Sequence, residues 1–388
     1  MKGNNSSMVE VDRNLYWNIR HEYDNRLIML LKSFEDSYLG PFKSLLLGEI
    51  DNLTYRNACA QFRKALSLAA TNLGLKCVDP NLLEVFAESV IFLENAQLET
   101  GAQILFNFSD QKLAEDLALG KLKRKYFKEW STQKKIAELF TGAAPVGLIM
   151  DSVIAQFPFE SLPIARKIHQ PIFRVPSLRV ATSLYQLFKE SPLESSVCDS
   201  SCYYLVNPSD NLPQTDKYFR EKFANIVKHE SDWKGTIGSE PTPEELKLNL
   251  ENKSLYIYFG HGSGSVYYRK IPNGGIDSLE LKPTSIVIGC SSGRVSSEGK
   301  IESLYGPPYR FLANGVPCYI GNLWDVTDKD IDIFSDKFLE HCLKRWNPSA
   351  KKTASFSRSI SMSRDNCRLK FLIGAAPVVY GLPLNTIL

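Results

Sequence analysis

Two short glycine-bordered segments contain the side chains best suited to covalent chemistry. His261 lies in the segment GHGSG at 260–264, and Cys290 lies in the segment GCSSG at 289–293. Each segment follows a short apolar run that is typical of a buried strand. A thiolate can attack a carbonyl carbon, and an imidazole can manage the proton. We therefore predict a Cys290–His261 catalytic pair, with the N–H groups of Gly262 and Cys290 stabilising the oxyanion.

Two other interpretations of these residues stay open at this point. GCSSG also fits the pattern G-x-S-x-G, which would make Ser291 the nucleophile of an α/β-hydrolase-type serine esterase. Asp325 and His341 follow in the required order, although His341 lies inside a continuous helical pattern. The other alternative is a catalytically silent scaffold of the same fold that only binds partners. The cysteine–histidine pair is favoured because the esterase leaves the His261 segment without a role.

The elements that must position these residues change character near residue 145. Before it, apolar residues recur at helical spacing, for example over 54–74 and 80–106. After it, short apolar runs alternate with helical segments, which predicts a mostly parallel sheet covered on both faces. Strands are predicted at 146–150, 153–154, 203–206, 255–259, 285–288, 318–320 and 378–380, and helices at 217–229, 304–314 and 328–346. The Ser- and Arg-rich segment 347–370 is expected to be an exposed connection or a helix with loose ends.

Composition narrows the class of protein. The chain has 388 residues, with 46 Lys+Arg against 43 Asp+Glu, so its net charge of +3 gives no sign of a nucleic-acid binder. The basic run 121–135 contains three aromatic residues and is expected to be a solvated helix face with its aromatics turned inward. Glycine and proline interrupt the uncharged tail 371–388, so we predict no membrane span. Cys198 and Cys202 form the only close cysteine pair, and no metal or cofactor is expected.

Longer motifs around the two segments resemble a known family. YFGHGSG at 258–264, IGCSSG at 288–293 and YGPPYRFLANGVPCYIGNLWDVTDKDID at 305–332 are similar to the C-terminal protease region of separase, a caspase-like cysteine protease. FPFESLPIARKIHQPIFRVPSL at 157–178 and YLGPFKSLLLG at 38–48 agree with it. The resemblance implies His261 as the catalytic histidine and Cys290 as the nucleophile.

The resemblance also implies an architecture. We expect a caspase-like α/β/α sandwich with a mostly parallel sheet, preceded by an α-helical substrate-binding region. Residues 1–144 are predicted to be the helical part of the substrate-binding domain, and 145–200 a strand-containing connection that completes it. Residues 201–388 are predicted to be the catalytic domain.

A function follows from the same resemblance. It implies cleavage after arginine, at E-x-x-R-type sites in the kleisin subunit of cohesin, with release of sister chromatids at anaphase. It also implies inhibition by securin, bound in the cleft as a pseudosubstrate, and location in the cytoplasm and nucleus.

An arginine at the P1 position of the substrate needs a carboxylate and a flat apolar wall. Asp325 beside Trp324 offers both, with Asp328 and Asp330 as rivals for the carboxylate. The alternative is that Asp325 or Asp328 caps the helix predicted from residue 328.

Overall fold

The computed structural model describes residues 5–151, 153–189, 196–297, 304–350 and 353–387. These residues form α-helices that we number α1–α15: Asn5–Phe34, Leu53–Asn72, Pro80–Ser89, Asn95–Phe106, Gln111–Asp116, Leu119–Phe127, Gln133–Leu139, Pro163–Lys167, Leu178–Lys189, Pro213–Val227, Pro243–Asn252, Ser265–Tyr268, Pro307–Ala313, Asp328–Cys342 and Phe356–Ser363. Their strands, β1–β12, are Val146–Leu148, Ile172–Arg174, Ser196–Cys198, Cys202–Val206, Trp233–Ile237, Leu255–Phe259, Thr284–Ile288, Ser296–Ser297, Leu304–Tyr305, Cys318–Asn322, Pro377–Gly381 and Asn385–Ile387. Within the described ranges, no helix is both long and apolar enough to cross a membrane.

The chain packs as two compact units. The sheet unit consists of Met1–Leu27, Gly147–Glu160 and Ile172–Leu388, and the helical unit consists of Ile28–Val146 and Ser161–Pro171. The first residues of the chain join the sheet unit because the Asp24 carboxylate accepts hydrogen bonds from the N–H groups of Phe371 and Leu372 at 2.8 and 2.5 Å. The packing units therefore differ from the ranges 1–144, 145–200 and 201–388, whose assignment to substrate binding and catalysis stays a prediction.

An eight-stranded sheet organises the sheet unit, in the order β1-β2-β11-β10-β7-β6-β4-β5. The pairs β4–β5, β4–β6, β6–β7, β7–β10 and β2–β11 are parallel, and β10–β11 is antiparallel. The central strands are buried along their whole length, because parallel strands covered on both faces have no solvated side.

Successive side chains of each strand point to opposite faces, and each face has its own helices. Phe259 and Ile288 lie in the core on the side of α10, α14 and α15, where the ring of Phe219 packs 4.5 Å from that of Phe259. Tyr258 and Val287 lie in the other core, on the side of α11 and α13. The predicted α/β/α sandwich with a mostly parallel sheet is confirmed.

Two sequence predictions within this unit were wrong, and a third was right only in part. Val153 and Ile154 lie in an exposed turn rather than a strand. The predicted helix 304–314 begins only at Pro307, since Leu304–Tyr305 pairs with Ser296–Ser297 as a short antiparallel ladder. The segment 347–370, expected to be an exposed connection or a helix with loose ends, does contain a helix, α15, but that helix is buried rather than exposed. Two of its serine hydroxyls donate to backbone carbonyls, Ser363 to Ser359 at 2.7 Å and Ser359 to Ala354 at 3.3 Å.

The helical unit has a separate core of buried aromatic and aliphatic side chains. Polar residues fix its helix starts, because a side-chain oxygen at the N-cap satisfies an otherwise free N–H group. Asn52 caps α2 by accepting from the Tyr55 N–H at 2.9 Å, and Asp79 caps α3. Phe127 and Trp130 are buried in this core, as expected for the aromatics of the basic run. The motif at 38–48 lies across a π-helical turn, Glu35–Leu39, and a 3₁₀ turn, Lys43–Leu46.

Candidate active site

Three loops meet at one edge of the sheet. The strands β6 and β7 are parallel neighbours with Phe259 opposite Ile288, and β10 lies parallel on the other side of β7. The segments 260–264, 289–293 and 323–327 therefore leave the same carboxyl edge, where parallel sheets collect ligands and catalytic groups. The structure brings His261 and Cys290 to neighbouring strand ends. His261 lies two residues after Phe259, Cys290 lies two residues after Ile288, and these two strand residues are paired.

Gly289 brings the first two loops into direct contact. A Cβ atom at Gly289 would lie 2.0 Å from the carbonyl oxygen of Gly262 and 2.4 Å from that of Gly260. The backbone of the cysteine loop thus packs against the backbone of the histidine loop, and only a residue without a side chain fits between them.

The Cys290 thiol is half-buried and donates a hydrogen bond to the Val326 carbonyl at 3.5 Å. Burial raises its pKa, and the carboxylates of Asp325 and Asp328 raise it further. In the resting molecule at neutral pH the sulfur therefore carries its proton, and a substrate or the histidine must promote the thiolate.

The His261 imidazole is exposed at the rim of this site. In the ranges that the structure describes, no carboxylate is hydrogen-bonded to it. Its backbone is fixed instead, because the Tyr258 hydroxyl donates to the His261 carbonyl at 2.7 Å. The imidazole is thus free to reach a substrate atom while its main chain stays in place.

The two N–H groups predicted to form an oxyanion hole are both available. Across the described part of the chain, neither the Gly262 N–H nor the Cys290 N–H has a hydrogen-bond acceptor. Gly262 has a φ of +58°, a left-handed conformation that glycine adopts without strain. The Gly262 N–H belongs to the residue after His261, and the Cys290 N–H belongs to the nucleophile itself. Both N–H groups therefore lie just beyond the ends of β6 and β7.

Asp325 and Trp324 lie in the third loop. The Asp325 carboxylate is exposed and accepts a hydrogen bond from the Ser291 hydroxyl at 2.6 Å. The Trp324 indole is half-buried and donates to the Leu372 carbonyl at 2.7 Å, which fixes the position of its ring. The Asp325 carboxylate and the Trp324 carbonyl both bond to Ser291 of the cysteine loop, and the assignment of the two residues to an arginine pocket stays a prediction.

The rivals of Asp325 differ in environment. The Asp330 carboxylate is buried and accepts from the Leu369 N–H at 3.0 Å, so it serves the fold. Asp328 is exposed in the first turn of α14, whose N-cap is Thr327. The helix-capping alternative is therefore wrong for Asp325, which precedes that N-cap and bonds to Ser291 instead.

The serine-esterase alternative does not fit this geometry. The Ser291 hydroxyl bonds to Asp325 directly, whereas a triad needs a histidine between them. His341 lies in the last turn of α14, about 20 Å along the helix from its start beside Asp325 at 1.5 Å per residue.

Two buried polar residues that sequence reasoning missed lock the cysteine loop. The Ser292 hydroxyl donates to the Val287 carbonyl at 2.6 Å and accepts from the Asn322 N–H at 3.0 Å. The Asn322 amide in turn donates to the Gly289 carbonyl at 3.0 Å. A polar residue at the end of a fully apolar strand, as Asn322 is in β10, is the signal that could have indicated this role.

Among the described residues, no group of three or more His, Cys, Asp or Glu side chains could hold a metal ion. Cys202 is buried in β4, and the side chain of Cys198 lies outside the described residues. None of the thiols that the structure describes forms a disulfide.

Comparison with known proteins identifies the family. The model of the separin protease domain matches residues 1–331. The chain belongs to the separin protease-domain family. It is 31% identical to the separin of Mus musculus over 98% of its length, 31% identical to that of Schizosaccharomyces pombe over 96%, and 28% identical to that of Saccharomyces cerevisiae over 99%. The match covers 17%, 20% and 25% of these three relatives, so the chain spans a quarter of their length or less.

Solved separase structures have the same fold. Two crystal structures of the Saccharomyces cerevisiae separase–securin complex superpose on this chain with TM-scores of 0.76 and 0.74, each at 25% sequence identity. They cover 99% and 100% of this chain, which corresponds to 26% of the solved chain. The caspase-like fold expected from the sequence motifs is thereby confirmed.

Proposed function

We propose that this chain is the protease domain of a cysteine endopeptidase, with Cys290 as nucleophile and His261 as proton carrier. The observation that carries the proposal is the placement of a half-buried thiol and a free imidazole on in-register neighbouring strand ends. Membership of the separin protease family supports the same assignment.

The reaction proceeds through a thioester. The Cys290 thiol gives its proton to His261, and the thiolate attacks the carbonyl carbon of the scissile peptide bond. The N–H groups of Gly262 and Cys290 donate to the oxyanion that forms. His261 then protonates the leaving amine as the C–N bond breaks. Water attacks the thioester carbonyl carbon as His261 accepts its proton, and the C–S bond breaks. The acid product leaves, and His261 returns the proton to the Cys290 sulfur.

Cleavage after arginine is the specificity that the third loop favours. The Asp325 carboxylate is exposed next to the cysteine loop, and in the described part of the chain it accepts one hydrogen bond, from the Ser291 hydroxyl. Its remaining lone pairs can accept two N–H groups of a guanidinium. The fixed Trp324 ring provides an apolar surface for the arginine stem.

The biological substrate that we propose is the kleisin subunit of cohesin, cut at E-x-x-R-type sites in the cytoplasm and nucleus at anaphase. Securin is the proposed inhibitor, bound in the same cleft as a pseudosubstrate. The proposal of securin is supported by the solved relatives, which are complexes of separase with securin.

A peptidyl-arginine acyloxymethyl ketone tests the nucleophile and the P1 residue together. The thiolate displaces the acyloxy group as a carboxylate and forms a thioether, which mass spectrometry can map. We expect one adduct, on Cys290, and none with the corresponding glutamate ketone. The matched control is Cys77→Ala, which removes a partly exposed thiol of the helical unit and should leave labelling unchanged. Labelling that persists in Cys290→Ala would contradict the assignment.

The substrate is tested with kleisin-derived peptides that contain an E-x-x-R site. We expect cleavage on the carboxyl side of the arginine, and loss of cleavage when citrulline, which has the same shape without the charge, replaces it. Cleavage at other residues, with the arginine bond intact, would overturn the proposed specificity while leaving the nucleophile unaffected.

A further inference from the structure

Ser291 has a conformation and contacts that the proposed mechanism does not use. Its φ is +53°, a left-handed conformation that residues with a Cβ rarely adopt. Two hydrogen bonds tie it to the third loop: its N–H donates to the Trp324 carbonyl at 3.1 Å, and its hydroxyl donates to Asp325 at 2.6 Å. Among the described residues, Ser291 is the hydrogen-bond donor that holds the Asp325 carboxylate.

The same loop also reaches the nucleophile. The carbonyl of Val326, the residue after Asp325, accepts a hydrogen bond from the Cys290 thiol at 3.5 Å. Two adjacent residues of the cysteine loop, 290 and 291, are thus bonded to two adjacent residues of the third loop, 325 and 326. This double connection fixes how far the carboxylate lies from the sulfur.

The titratable side chains at this edge of the sheet come from two loops. Asp325 and Asp328 belong to the segment between β10 and α14, and His261 belongs to the segment after β6. The two carboxylates oppose a negative charge on the sulfur and raise the pKa of Cys290. A cation bound to Asp325 cancels one of these charges and removes its effect.

We propose that Ser291 is a positioning residue that fixes the Asp325 carboxylate between the P1 arginine and the Cys290 sulfur, so that arginine binding makes the thiol more reactive. This inference rests on the proposed function, because it takes Asp325 as the acceptor of the P1 guanidinium. A substrate with the correct P1 residue thereby assists formation of the nucleophile that attacks it. Specificity for arginine then acts on kcat as well as on binding.

The test measures thiol reactivity directly. Iodoacetamide alkylates the Cys290 thiolate, forming a C–S bond and releasing iodide, and the thiol proton goes to the buffer. The rate is followed by mass spectrometry from pH 6 to 10, alone and with acetyl-arginine amide or acetyl-citrulline amide. The pH midpoint is compared rather than the rate, because a bound ligand can also shield the sulfur.

We expect the arginine compound to lower the midpoint of the wild-type protein by about 0.5 unit or more, which is roughly threefold in thiolate population below the midpoint. The citrulline compound should leave the midpoint where it is. Asp325→Asn should have a lowered midpoint without any ligand and no response to arginine.

Ser291 variants test the positioning role. Ser291→Gly removes the hydroxyl in a conformation that glycine adopts freely, and it should lose at least half of the arginine-induced shift. Ser291→Asn also tolerates a positive φ and keeps an N–H donor, so it should recover part of the shift. Ser278→Ala removes a hydroxyl that donates to the Gly275 carbonyl elsewhere in the sheet unit and should match the wild type.

Two results overturn the proposal. One is a wild-type midpoint that does not move when acetyl-arginine amide binds, and the other is a Ser291→Gly variant that responds as the wild type does. If arginine peptides are still cleaved through Cys290 in either case, the proposed protease function stands and only the coupling fails. Cleavage that survives Cys290→Ala instead refutes the protease assignment itself.

Discussion

Replacing Gly289 with alanine tests whether close contact between the cysteine and histidine loops is needed for activity. The new Cβ would lie 2.0 Å from the Gly262 carbonyl oxygen, whereas ordinary contact begins at 3.4 Å. Relieving the clash displaces one loop by about 1.4 Å. The two nearest atoms, the carbonyl oxygens of Gly262 and Gly260, belong to the backbone, so no neighbouring side chain can rotate away to make room. The substitution therefore separates Cys290 from His261 and from the Gly262 N–H.

The expected loss follows from this displacement. Misplacing reacting groups by about 1 Å costs on the order of 10²-fold in rate, so kcat/KM for an arginine peptide should fall at least that far. Overpacking should also cost roughly 1–3 kcal/mol of stability. The assay is release of a fluorescent group from a peptidyl-arginine substrate, with the melting temperature measured on the same preparation to confirm that the variant is folded.

Two glycine variants serve as controls. Gly142→Ala places a Cβ in open space in the helical unit and should leave kcat/KM and stability unchanged. Gly262→Ala also meets no atom within 4 Å but has a φ of +58°, so it separates backbone strain from steric clash. A folded Gly289→Ala protein with wild-type kcat/KM would refute the inference that the two loops act as one site.

Four further substitutions test other parts of the site and the fold. Cys290→Ala should abolish peptide cleavage and leave the melting temperature within a degree or two of the wild type; measurable turnover would exclude it as the nucleophile. His261→Ala should lower kcat by about 10²–10⁴-fold with little change in the affinity of a peptide inhibitor, and a parallel loss of affinity would indicate a structural role. Asp325→Ala should lower kcat/KM for arginine peptides about 10- to 100-fold, from roughly 1.5–3 kcal/mol for hydrogen bonds to a charged group, while the melting temperature changes little. Burial raises the pKa of Asp332 to about 7, above the value of about 3.9 in an unfolded chain. The folded protein therefore holds this proton more tightly, and stability is lost as pH rises from about 4 to 7. Asp332→Asn should remove that loss in melting curves recorded across this range.

The chemistry-bearing strand ends could be predicted from sequence because their signal is local. An apolar run that ends in glycine marks both a buried strand and the point at which the backbone leaves the sheet. His261 and Cys290 each follow such a run, and both lie at the carboxyl edge of the sheet. The interpretation of Val378–Tyr380 as a buried strand is confirmed for the same reason, since β11 is buried throughout.

Segments whose burial depends on distant partners were predicted less well. The Ser- and Arg-rich region 347–370 has the composition of an exposed connection, yet α15 packs in the core beneath the sheet. Arg364 is buried as well, donating to the carbonyls of Gly374 and Pro377 at 2.6 and 2.9 Å. Composition reports the polarity of these side chains but not the backbone carbonyls that the fold supplies to satisfy them.

The sequence by itself determined which residues could react, which strands deliver them, and that the sheet is mostly parallel, because each of these depends on neighbours within a few positions. Tertiary structure alone decided that β10 lies beside β7, that the Cys290 thiol bonds to Val326, and that Ser291 holds Asp325. The bonded pairs Cys290–Val326 and Ser291–Asp325 lie 36 and 34 positions apart in the chain. Their meeting depends on strand order and register, which long-range packing sets and which no local pattern encodes.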